Sequence, residues 1–148
     1  MSRLRRILHP TDFSAASRAS FARALSMAKA DRAELLLVHV VAPPTFVAGE
    51  GYISPQVYGE IEAAADAYGR KNLGLLQARA RTAGVRSKTL LLRGLADQEI
   101  IRAARSKKAD LIVIGTHGRT GLARLFLGSV ASRVVAGAGC PVLTVRGR

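Results

Sequence analysis

The chain has 148 residues, and 23 Lys and Arg residues against 10 Asp and Glu residues give it a formal net charge of +13. At 49% hydrophobic residues, a chain of this size buries about two-thirds of its unfolded surface, which excludes an intrinsically disordered polycation. One cysteine excludes a disulfide framework, and no apolar run approaches the roughly 18–20 residues of a membrane span. We expect one domain over residues 1–148, soluble, cytoplasmic and without a membrane partner.

The positive charge is concentrated in the two end regions of the sequence. Residues 1–32 carry a net charge of +5, residues 33–84 carry −1 and residues 85–148 carry +9. A fold that brings the ends together would form one basic region, which would attract phosphates, nucleic acid or acidic lipid. The alternative is a solvated, arginine-rich surface without a dedicated partner.

The first part of the chain predicts a strand, a helix and a second strand. Residues 6–9 form a short apolar strand, and Asp12 and Ser14 are suited to cap a helix over about 14–30. Residues 34–41 are apolar without alternation, which is typical of a strand buried on both faces.

A loop over residues 42–53, with two prolines and two glycines, precedes a long helix. Ser54 and Pro55 are a cap and a proline at the first helical position, and Gly84 ends the helix. The apolar residues at helical spacing predict the inward face, namely Val57, Ile61, Ala64, Ala65, Tyr68, Leu75 and Leu76.

The last part continues the alternation of strands and helices. Strands are predicted over 85–93, 111–114 and 141–145, and helices over 96–108 and 129–138. Strict alternation with buried strands favours a doubly wound parallel sheet with helices on both faces. Ligands of such sheets bind beyond the carboxyl ends of the strands.

The loop over residues 116–128 is the strongest functional signal. It spans 13 residues, whereas such connections usually take about 2–6. Glycines at 115, 118, 121 and 128 permit close approach of backbone to a ligand, and Ser129 opens a helix whose N-terminus attracts anions. These features predict a phosphate site, and the alternative is an ordinary loop with Ser129 as helix cap. The sequence has neither G-x-x-x-x-G-K-[ST] nor a G-x-G-x-x-G after the first strand. It is therefore neither a P-loop ATPase nor a standard dinucleotide-binding fold.

The spacing Gly115-x2-Gly118-x9-Gly128-Ser129 resembles the G-x2-G-x9-G-[ST] signature of ATP-binding members of the universal stress protein family. Residues 7–14, 36–40 and 140–146 resemble the family's first, second and last strands, so the resemblance covers the whole chain. It implies a five-stranded parallel sheet in the order 3-2-1-4-5, a Rossmann-like α/β fold of the adenine-nucleotide alpha hydrolase type.

The resemblance also implies ATP as ligand, with Mg²⁺ or Mn²⁺ on its phosphates. Asp12 would hold the ribose hydroxyls and the backbone of Val40 would meet the adenine edge. His117 and Arg119 lie inside the loop, and the signature does not fix their roles. The full set of expected nucleotide-binding residues is Pro10, Thr11, Asp12, Val40, Ile114, Gly115, His117, Gly118, Arg119, Gly128, Ser129 and Val130.

The function that we expect is a regulatory or sensing module of the stress response, in which ATP orders the 116–128 loop. The family resemblance further implies a homodimer through the edge strand Val142–Val145. One alternative is a slow ATP hydrolase or self-phosphorylating enzyme, with His117 as acid or base and Thr116, Thr120 or Ser129 as acceptor. Another is weak association with nucleic acid, although no motif indicates a specific nucleic-acid site. A metal site at His9, His39 and Asp12 is a further possibility that the sequence leaves open.

Overall fold

The computed structural model describes residues 2–43, 51, 53–117 and 127–147. Strands and helices alternate through the described residues: β1 (Arg6–Pro10), α1 (Ala15–Asp31), β2 (Glu34–Val41), α2 (Pro55–Thr82), β3 (Ser87–Arg93), α3 (Ala96–Ser106), β4 (Leu111–Gly115), α4 (Ser129–Gly137) and β5 (Val142–Val145). The strands form one parallel sheet in the order β3-β2-β1-β4-β5. This confirms the expected fold class and strand order.

The unbroken apolar run of β2 is explained by helices on both faces of the sheet. Leu35 and Leu37 join a core cluster with α1 and α2, whereas Leu36 and Val38 join a second cluster with α3 and α4. All four side chains are at most 2% exposed. Since successive strand residues point to opposite faces, a strand covered on both sides needs apolar residues at every position.

The helix ends follow the local sequence. The Ser14 Oγ accepts a hydrogen bond from the Ser17 backbone N–H at the start of α1. The Ser54 Oγ accepts one from Val57 N–H at the start of α2, and Pro55 is the first helical residue. Gly84 follows α2 with φ of +78°, a conformation that glycine adopts without steric cost. The predicted starts of both helices are confirmed.

The predicted inward face of α2 is wrong for most of its residues. Val57, Ile61, Tyr68 and Leu75 are 44–56% exposed, and the buried residues are Gly69, Leu73 and Ala80. A Cβ on Gly69 would lie 2.7 Å from Leu91 Cδ1 and 3.0 Å from His39 Cδ2. The helix therefore approaches the sheet along its smallest residue, and the buried face is rotated away from the larger apolar side chains.

The two ends of the chain lie at opposite edges of the sheet. Because all strands are parallel, their first residues form one edge, which we call the amino edge, and their last residues form the carboxyl edge. Residues 2–5 precede β1 at the amino edge, whereas Gly147 follows β5 and lies against Ala16 in the first turn of α1. The two termini therefore do not meet, although basic residues of both end regions, such as Arg5 and Arg86, lie together at the amino edge. Within the described residues, no helix is both long enough and apolar enough to cross a bilayer.

Candidate functional site

A cavity of about 370 Å³ lies at the carboxyl edge. It is enclosed by the ends of β1, β2 and β4 and by the first residues of α3 and α4, at the point where the strand order reverses. Its volume is in the range of small-molecule sites. Ten of the twelve residues expected to bind nucleotide line it: Pro10, Thr11, Asp12, Val40, Ile114, Gly115, His117, Gly128, Ser129 and Val130. Gly118 and Arg119 lie outside the described residues.

One wall of the cavity is apolar. Val38 and Val40 from β2 and Ile114 from β4 face Ala96 and Ile100 from α3 across it. Val38 is fully buried, and Ile100 and Ile114 are 3% and 6% exposed. Such a wall is suited to a flat apolar ring, because it offers contact area and few polar atoms that the ring would leave without hydrogen bonds.

Asp12 places a carboxylate in the cavity at the start of α1. Its Oδ1 accepts hydrogen bonds from the Ser14 backbone N–H at 3.0 Å and from the Ser17 Oγ at 2.7 Å. The positive end of the helix dipole further stabilises the charge. A carboxylate held in this way is an acceptor of fixed position for ligand hydroxyl groups.

The N-terminus of α4 is the second polar element of the cavity. Gly128 is the N-cap residue, so Ser129 is the first helical residue and not the cap. The first intrahelical hydrogen bond joins Ser132 N–H to Gly128 O at 2.9 Å, and the first turn contains no acidic residue and no side-chain cap. The backbone N–H groups of residues 129–131 therefore present donors and a positive dipole end to the cavity, which together favour an anion.

Gly128 is a glycine because of its contact with Thr116. The Gly128 N–H donates to Thr116 O at 2.6 Å, and a Cβ on Gly128 would lie 2.8 Å from the same oxygen. Thr116 N–H in turn donates to Val145 O, at the end of β5. The two ends of the 116–128 loop are thus joined to each other and to the sheet beside the cavity.

The buried His9 is a core residue that stands outside the cavity lining. Its Nδ1 lies 3.0 Å from Val113 O, and its ring packs against Phe21. Burial lowers the pKa of His9 to about 4, against the weaker raising effects of the Val113 hydrogen bond and of Asp12. The ring is therefore neutral at pH 7, and Nδ1 is the donor to the carbonyl.

His39 also bonds to the backbone, with its Nδ1 2.8 Å from Thr11 O and its ring against Phe13. Among the described residues, no three His, Cys, Asp or Glu side chains are grouped as metal ligands would be. The structure thus gives no support to a metal site at His9, His39 and Asp12.

Several lining residues were not expected from the sequence. Ser17 holds the Asp12 carboxylate, and the spacing Asp-x4-Ser at a helix start is the signal that could have indicated it. Ala96 and Ile100 come from a helix far along the chain, and no local pattern marks them as neighbours of β2. The lining residues that the sequence did not indicate are Ser17, Val38, Ala96, Ile100, Leu127 and Ala131, whereas His39 and Thr116, which also line the cavity, were considered only as a metal ligand and a phosphate acceptor.

The fold and the position of the cavity define a doubly wound α/β protein with a cavity at its topological switch point, where ligands of such sheets bind. The family model of the universal stress protein family matches residues 3–146, and the chain belongs to that family.

Relatives and solved structures agree with this assignment. Universal stress protein MJ0531 of Methanocaldococcus jannaschii is 39% identical over 142 residues, which cover 96% of this chain and 82% of that protein. Universal stress protein UspA from Lactobacillus plantarum superposes with a TM-score of 0.85 at 29% identity, over 99% of this chain and 100% of that one. A universal stress protein solved in complex with cAMP superposes with a TM-score of 0.74 at 26% identity, over 99% and 100% of the two chains.

Proposed function

We propose that this chain is an ATP-binding regulatory protein and that the nucleotide occupies the cavity at the carboxyl edge. The observation that carries the proposal is the presence, in one cavity of about 370 Å³, of an apolar wall, the Asp12 carboxylate and the N-terminus of α4. These three elements match the three parts of a nucleotide, namely base, sugar hydroxyls and phosphates. The complex of a structurally similar universal stress protein with cAMP supports an adenine nucleotide as the ligand class.

We assign a group of the protein to each part of ATP. The adenine ring packs between Val38, Val40 and Ile100, and its edge bonds to the backbone of Val40. The ribose hydroxyls donate to Asp12. The phosphates accept hydrogen bonds from the backbone N–H groups of Ser129 and Val130 and from the Ser129 hydroxyl. We further assign binding of the outer phosphates to His117, Gly118 and Arg119. Gly118 and Arg119 lie outside the described residues.

We further propose that Mg²⁺ or Mn²⁺ would bind with the nucleotide, on its phosphates. Asp12 is the one carboxylate among the described lining residues, so the protein would offer such an ion few ligands, which fits an ion held mainly by the phosphates. When bound, the ion would supply charge neutralisation for the triphosphate, in addition to the N-terminus of α4.

The proposal assigns the protein a role in sensing rather than turnover. Asp12 is the one carboxylate among the described lining residues, and we assign it to the ribose hydroxyls rather than to a water beside the phosphates. Nucleotide occupancy is instead transmitted to the 116–128 loop, because Thr116 and Gly128 both border the cavity. Amide hydrogen exchange over residues 116–128 with and without saturating ATP tests this step. Equal exchange in both states contradicts it.

The ligand is tested first by mass spectrometry of small molecules released from the purified, denatured protein. We expect ATP in near-stoichiometric amount or, if the protein is purified empty, binding of Mg²⁺–ATP by calorimetry. An empty protein that also fails to bind ATP, AMP and cAMP at millimolar concentration contradicts the proposed function.

The matched variants Asp12→Asn and Asp31→Asn test the site. The two aspartates lie just before and at the end of α1, and the Asp31 Oδ2 accepts the Leu4 N–H at 2.8 Å at the amino edge. Asn at 12 retains an oxygen acceptor for Ser14 and Ser17 but loses the charge, and charge-assisted hydrogen bonds are about twice as strong as neutral ones. We expect Asp12→Asn to weaken ATP binding about tenfold, which is about 1.4 kcal/mol, and Asp31→Asn to leave it unchanged. Equal effects of the two changes contradict the assignment.

The proposal includes a homodimer formed through β5, which is an edge strand of the sheet. Pro141 O and Val145 O accept hydrogen bonds from β4, so the N–H groups of Val142 and Thr144 face away from β4. Thr144→Pro removes one outward donor without breaking the β4 ladder. We expect a monomeric mass by light scattering for this variant and a dimeric mass for the wild type at micromolar concentration.

The control for the dimer is Thr89→Pro at the opposite edge. Arg86 O faces β2, so the N–H of Thr89, three positions later on β3, faces outward. Retention of the dimer in Thr89→Pro and its loss in Thr144→Pro support pairing through β5. A wild-type protein that is monomeric contradicts it.

A further inference from the structure

The amino edge of the sheet carries most of the chain's excess positive charge. We call this surface the basic face and define it by the last turns of α1, α2 and α3, the turns that follow them, and the starts of β1, β2 and β3. Twelve exposed basic residues lie on it: Arg3, Arg5, Arg6, Lys29, Arg32, Arg79, Arg81, Arg86, Lys88, Arg105, Lys107 and Lys108. Three acidic residues, Asp31, Glu34 and Asp110, accompany them.

The acidic residues of the basic face are largely engaged in holding the fold. Asp110 Oδ2 accepts the backbone N–H groups of Arg5 and Arg6, and Asp31 Oδ2 accepts that of Leu4. Glu34 forms ion pairs with Arg6 and Lys88, both at 3.7 Å. Even with every carboxylate counted, the face retains an excess of nine positive charges.

Stabilisation of helix ends does not account for this excess. Basic residues near a helix C-terminus are favourable, because the end carries about half a negative charge. Three helices end on this face and contribute roughly −1.5 in total. The Arg3 Nε donates to Asp31 O and the Arg6 Nη1 to Lys107 O, so two arginines bind helix-end carbonyls directly. Most of the others lack a partner of this kind among the described residues, so the face stays strongly positive.

The charges are held on a rigid frame. The face is built from strand starts joined by backbone hydrogen bonds, such as Glu34 N–H to Arg5 O and Leu35 N–H to Arg86 O, both at 2.8–2.9 Å. The three strand starts of the face, about 4.8 Å apart, span about 10 Å, and the ends of α1 and α2 on one side of the sheet and of α3 on the other extend it further. A depression between α2 and β3 is lined by Arg81 and Arg86 of this face, together with Gln77 and Ser87. A fixed array of cations of this width matches a stiff polyanion with regularly spaced charges.

The described residues of the basic face lack large exposed apolar side chains, and this favours some classes of polyanion over others as its partner. The large hydrophobic residues that are exposed in the described parts of the chain, such as Leu75 and Leu95, lie outside the elements that define the basic face, and Val135, in the last turn of α4, is beside it at the same edge. Single-stranded nucleic acid is held mainly by stacking on aromatic rings, and peripheral membrane binding by apolar insertion together with charge. A duplex offers a stiff row of phosphates and needs neither.

We propose that the basic face binds double-stranded nucleic acid through its phosphates, independently of base sequence. This site is separate from the nucleotide cavity, which lies at the opposite edge of the sheet. The expected affinity is that of non-specific binding, with a Kd of roughly 10⁻⁴–10⁻⁶ M at physiological salt. For about five phosphate contacts, the slope of log K against log salt concentration is about −4.5.

The experiment uses fluorescence anisotropy of a labelled 24-base-pair duplex of arbitrary sequence, between 50 and 200 mM NaCl. The test variant carries Arg5→Gln, Arg81→Gln, Arg86→Gln and Lys107→Gln. The control variant carries Arg18→Gln, Arg23→Gln, Arg70→Gln and Lys71→Gln, which are equally exposed residues in the first half of α1 and the middle of α2. Both variants lose three arginines and one lysine, so their net charges are identical.

We expect the test variant to bind the duplex about a hundredfold more weakly at 100 mM NaCl and to reduce the salt slope by about 3 to 4, since each lost phosphate contact removes about one unit. The control variant should retain wild-type slope within one unit. Circular dichroism and thermal melting establish that both variants are folded.

Three results would overturn the proposal. The first is no binding of the duplex by the wild type at 50 mM NaCl, and the second is equal weakening in the two variants, which would indicate net charge alone. The third is equal or tighter binding to a single strand of the same length or to vesicles of anionic lipid. None of these results depends on whether the cavity binds ATP, so the proposed function and this inference fail separately.

Discussion

The two edges of the sheet contain similar residue types but use them in opposite ways. At the carboxyl edge, two arginines of the described residues form ion pairs: Arg93 with Glu62 and Asp66, and Arg133 with Asp97. At the amino edge, Asp31 and Asp110 instead accept backbone N–H groups, and exposed lysines and arginines outnumber the acidic residues by twelve to three. One edge therefore combines paired arginines with a cavity, and the other is an open cationic surface.

This contrast follows partly from the topology. In a parallel α/β fold the helix N-termini lie at the carboxyl edge and the helix C-termini at the amino edge. Acidic residues are favourable in first turns, such as Asp97 and Glu99 in α3, and basic residues in last turns, such as Arg105 in the same helix. The last turns of α1, α2 and α3 all carry basic residues, whereas among the described helices only α3 has acidic residues in its first turn, so the dipoles account for part of the positive charge at the amino edge. The number of basic residues at the amino edge exceeds what the dipoles need, and this excess requires a separate explanation.

The largest effect that we expect is a loss of ATP binding, and it tests whether the two edges of the sheet bind their ligands independently. Gly128→Val places a branched side chain at a position where a Cβ alone would lie 2.8 Å from Thr116 O. We expect it to weaken ATP binding about a hundredfold, about 2.7 kcal/mol, and to leave duplex binding unchanged. The four-residue variant of the basic face should show the reverse pattern in the same calorimetry and anisotropy measurements.

Gly139→Val is the control for this change, because a Cβ on Gly139 has no atom within 4 Å. It lies just beyond the other end of α4 and should change neither affinity. If Gly128→Val also abolished duplex binding in a folded protein, the two edges would not be independent, and the comparison would fail.

The second effect concerns the pH dependence of stability. His9 stays neutral in the fold down to a pH of about 4 because burial lowers its pKa, whereas an unfolded histidine is protonated below about 6.5. The unfolded state therefore binds more protons between these values, so stability is full above pH 6.5 and falls as the pH falls towards 4. At pH 4.5 the loss is about 2.5 kcal/mol, from about 1.4 kcal/mol per pH unit.

Urea unfolding at pH 7 and pH 4.5 measures this term when the wild type is compared with His9→Gln, which lacks a titrating group at the same place. His39→Gln is the control, since His39 also bonds through Nδ1 to a carbonyl but is partly exposed. The difference between pH 7 and 4.5 should shrink in His9→Gln and not in His39→Gln. An unchanged difference in His9→Gln would show that the ring is not kept neutral by the core.

The third effect concerns the contact of α2 with the sheet. Gly69→Ala inserts a methyl group 2.7 Å from Leu91 Cδ1, and we expect a loss of about 1–2 kcal/mol from overpacking. Gly74→Ala in the same helix meets nothing within 4 Å and should stabilise by about 0.5–1 kcal/mol. Chemical denaturation of both variants checks these signs. Stabilisation by both changes would mean that α2 does not rest on the sheet at Gly69.

The smallest effect that we expect is the change in stability when a single arginine is removed from either edge. Arg93→Gln removes the partner of Glu62 and Asp66 and should cost up to about 1 kcal/mol. Arg86→Gln removes one charge from the basic face and should be neutral or stabilising by a few tenths of a kcal/mol, because it relieves repulsion. Thermal melts at low and high salt check the pair. A larger cost for Arg86→Gln would mean that this arginine has a structural partner.

The sequence predicted the order of strands and helices well, and the reasons are local. Caps such as Ser14 and Ser54 and the apolar run of β2 act over a few residues, and the structure places each within one or two residues of its predicted boundary. Prediction failed for the inner face of α2, where Gly69, Leu73 and Ala80 meet the sheet rather than the apolar residues predicted from the helical period. A contact of that kind depends on the approach of two elements and leaves no periodic signal.

The candidate site was predictable where it rests on chain-local features and not where it rests on distant elements. Asp12 and the glycine spacing mark the ends of β1 and β4, and ten of the twelve expected residues line one cavity. Their binding of nucleotide stays a prediction. Ala96 and Ile100, which complete the apolar wall, could not be anticipated, because the crossover that brings α3 over β2 is a property of the whole sheet.

By itself the sequence determined the family, the alternation of elements and the residues that gather at the carboxyl edge. The tertiary structure alone decided where the charge lies. Basic residues near the start of the chain and after residue 85 come together at the amino edge, whereas the C-terminal segment ends at the carboxyl edge beside Ala16. The physical reason is that parallel strands place all their starts on one side. Charges far apart in sequence then share one surface there, and the two chain termini are held apart.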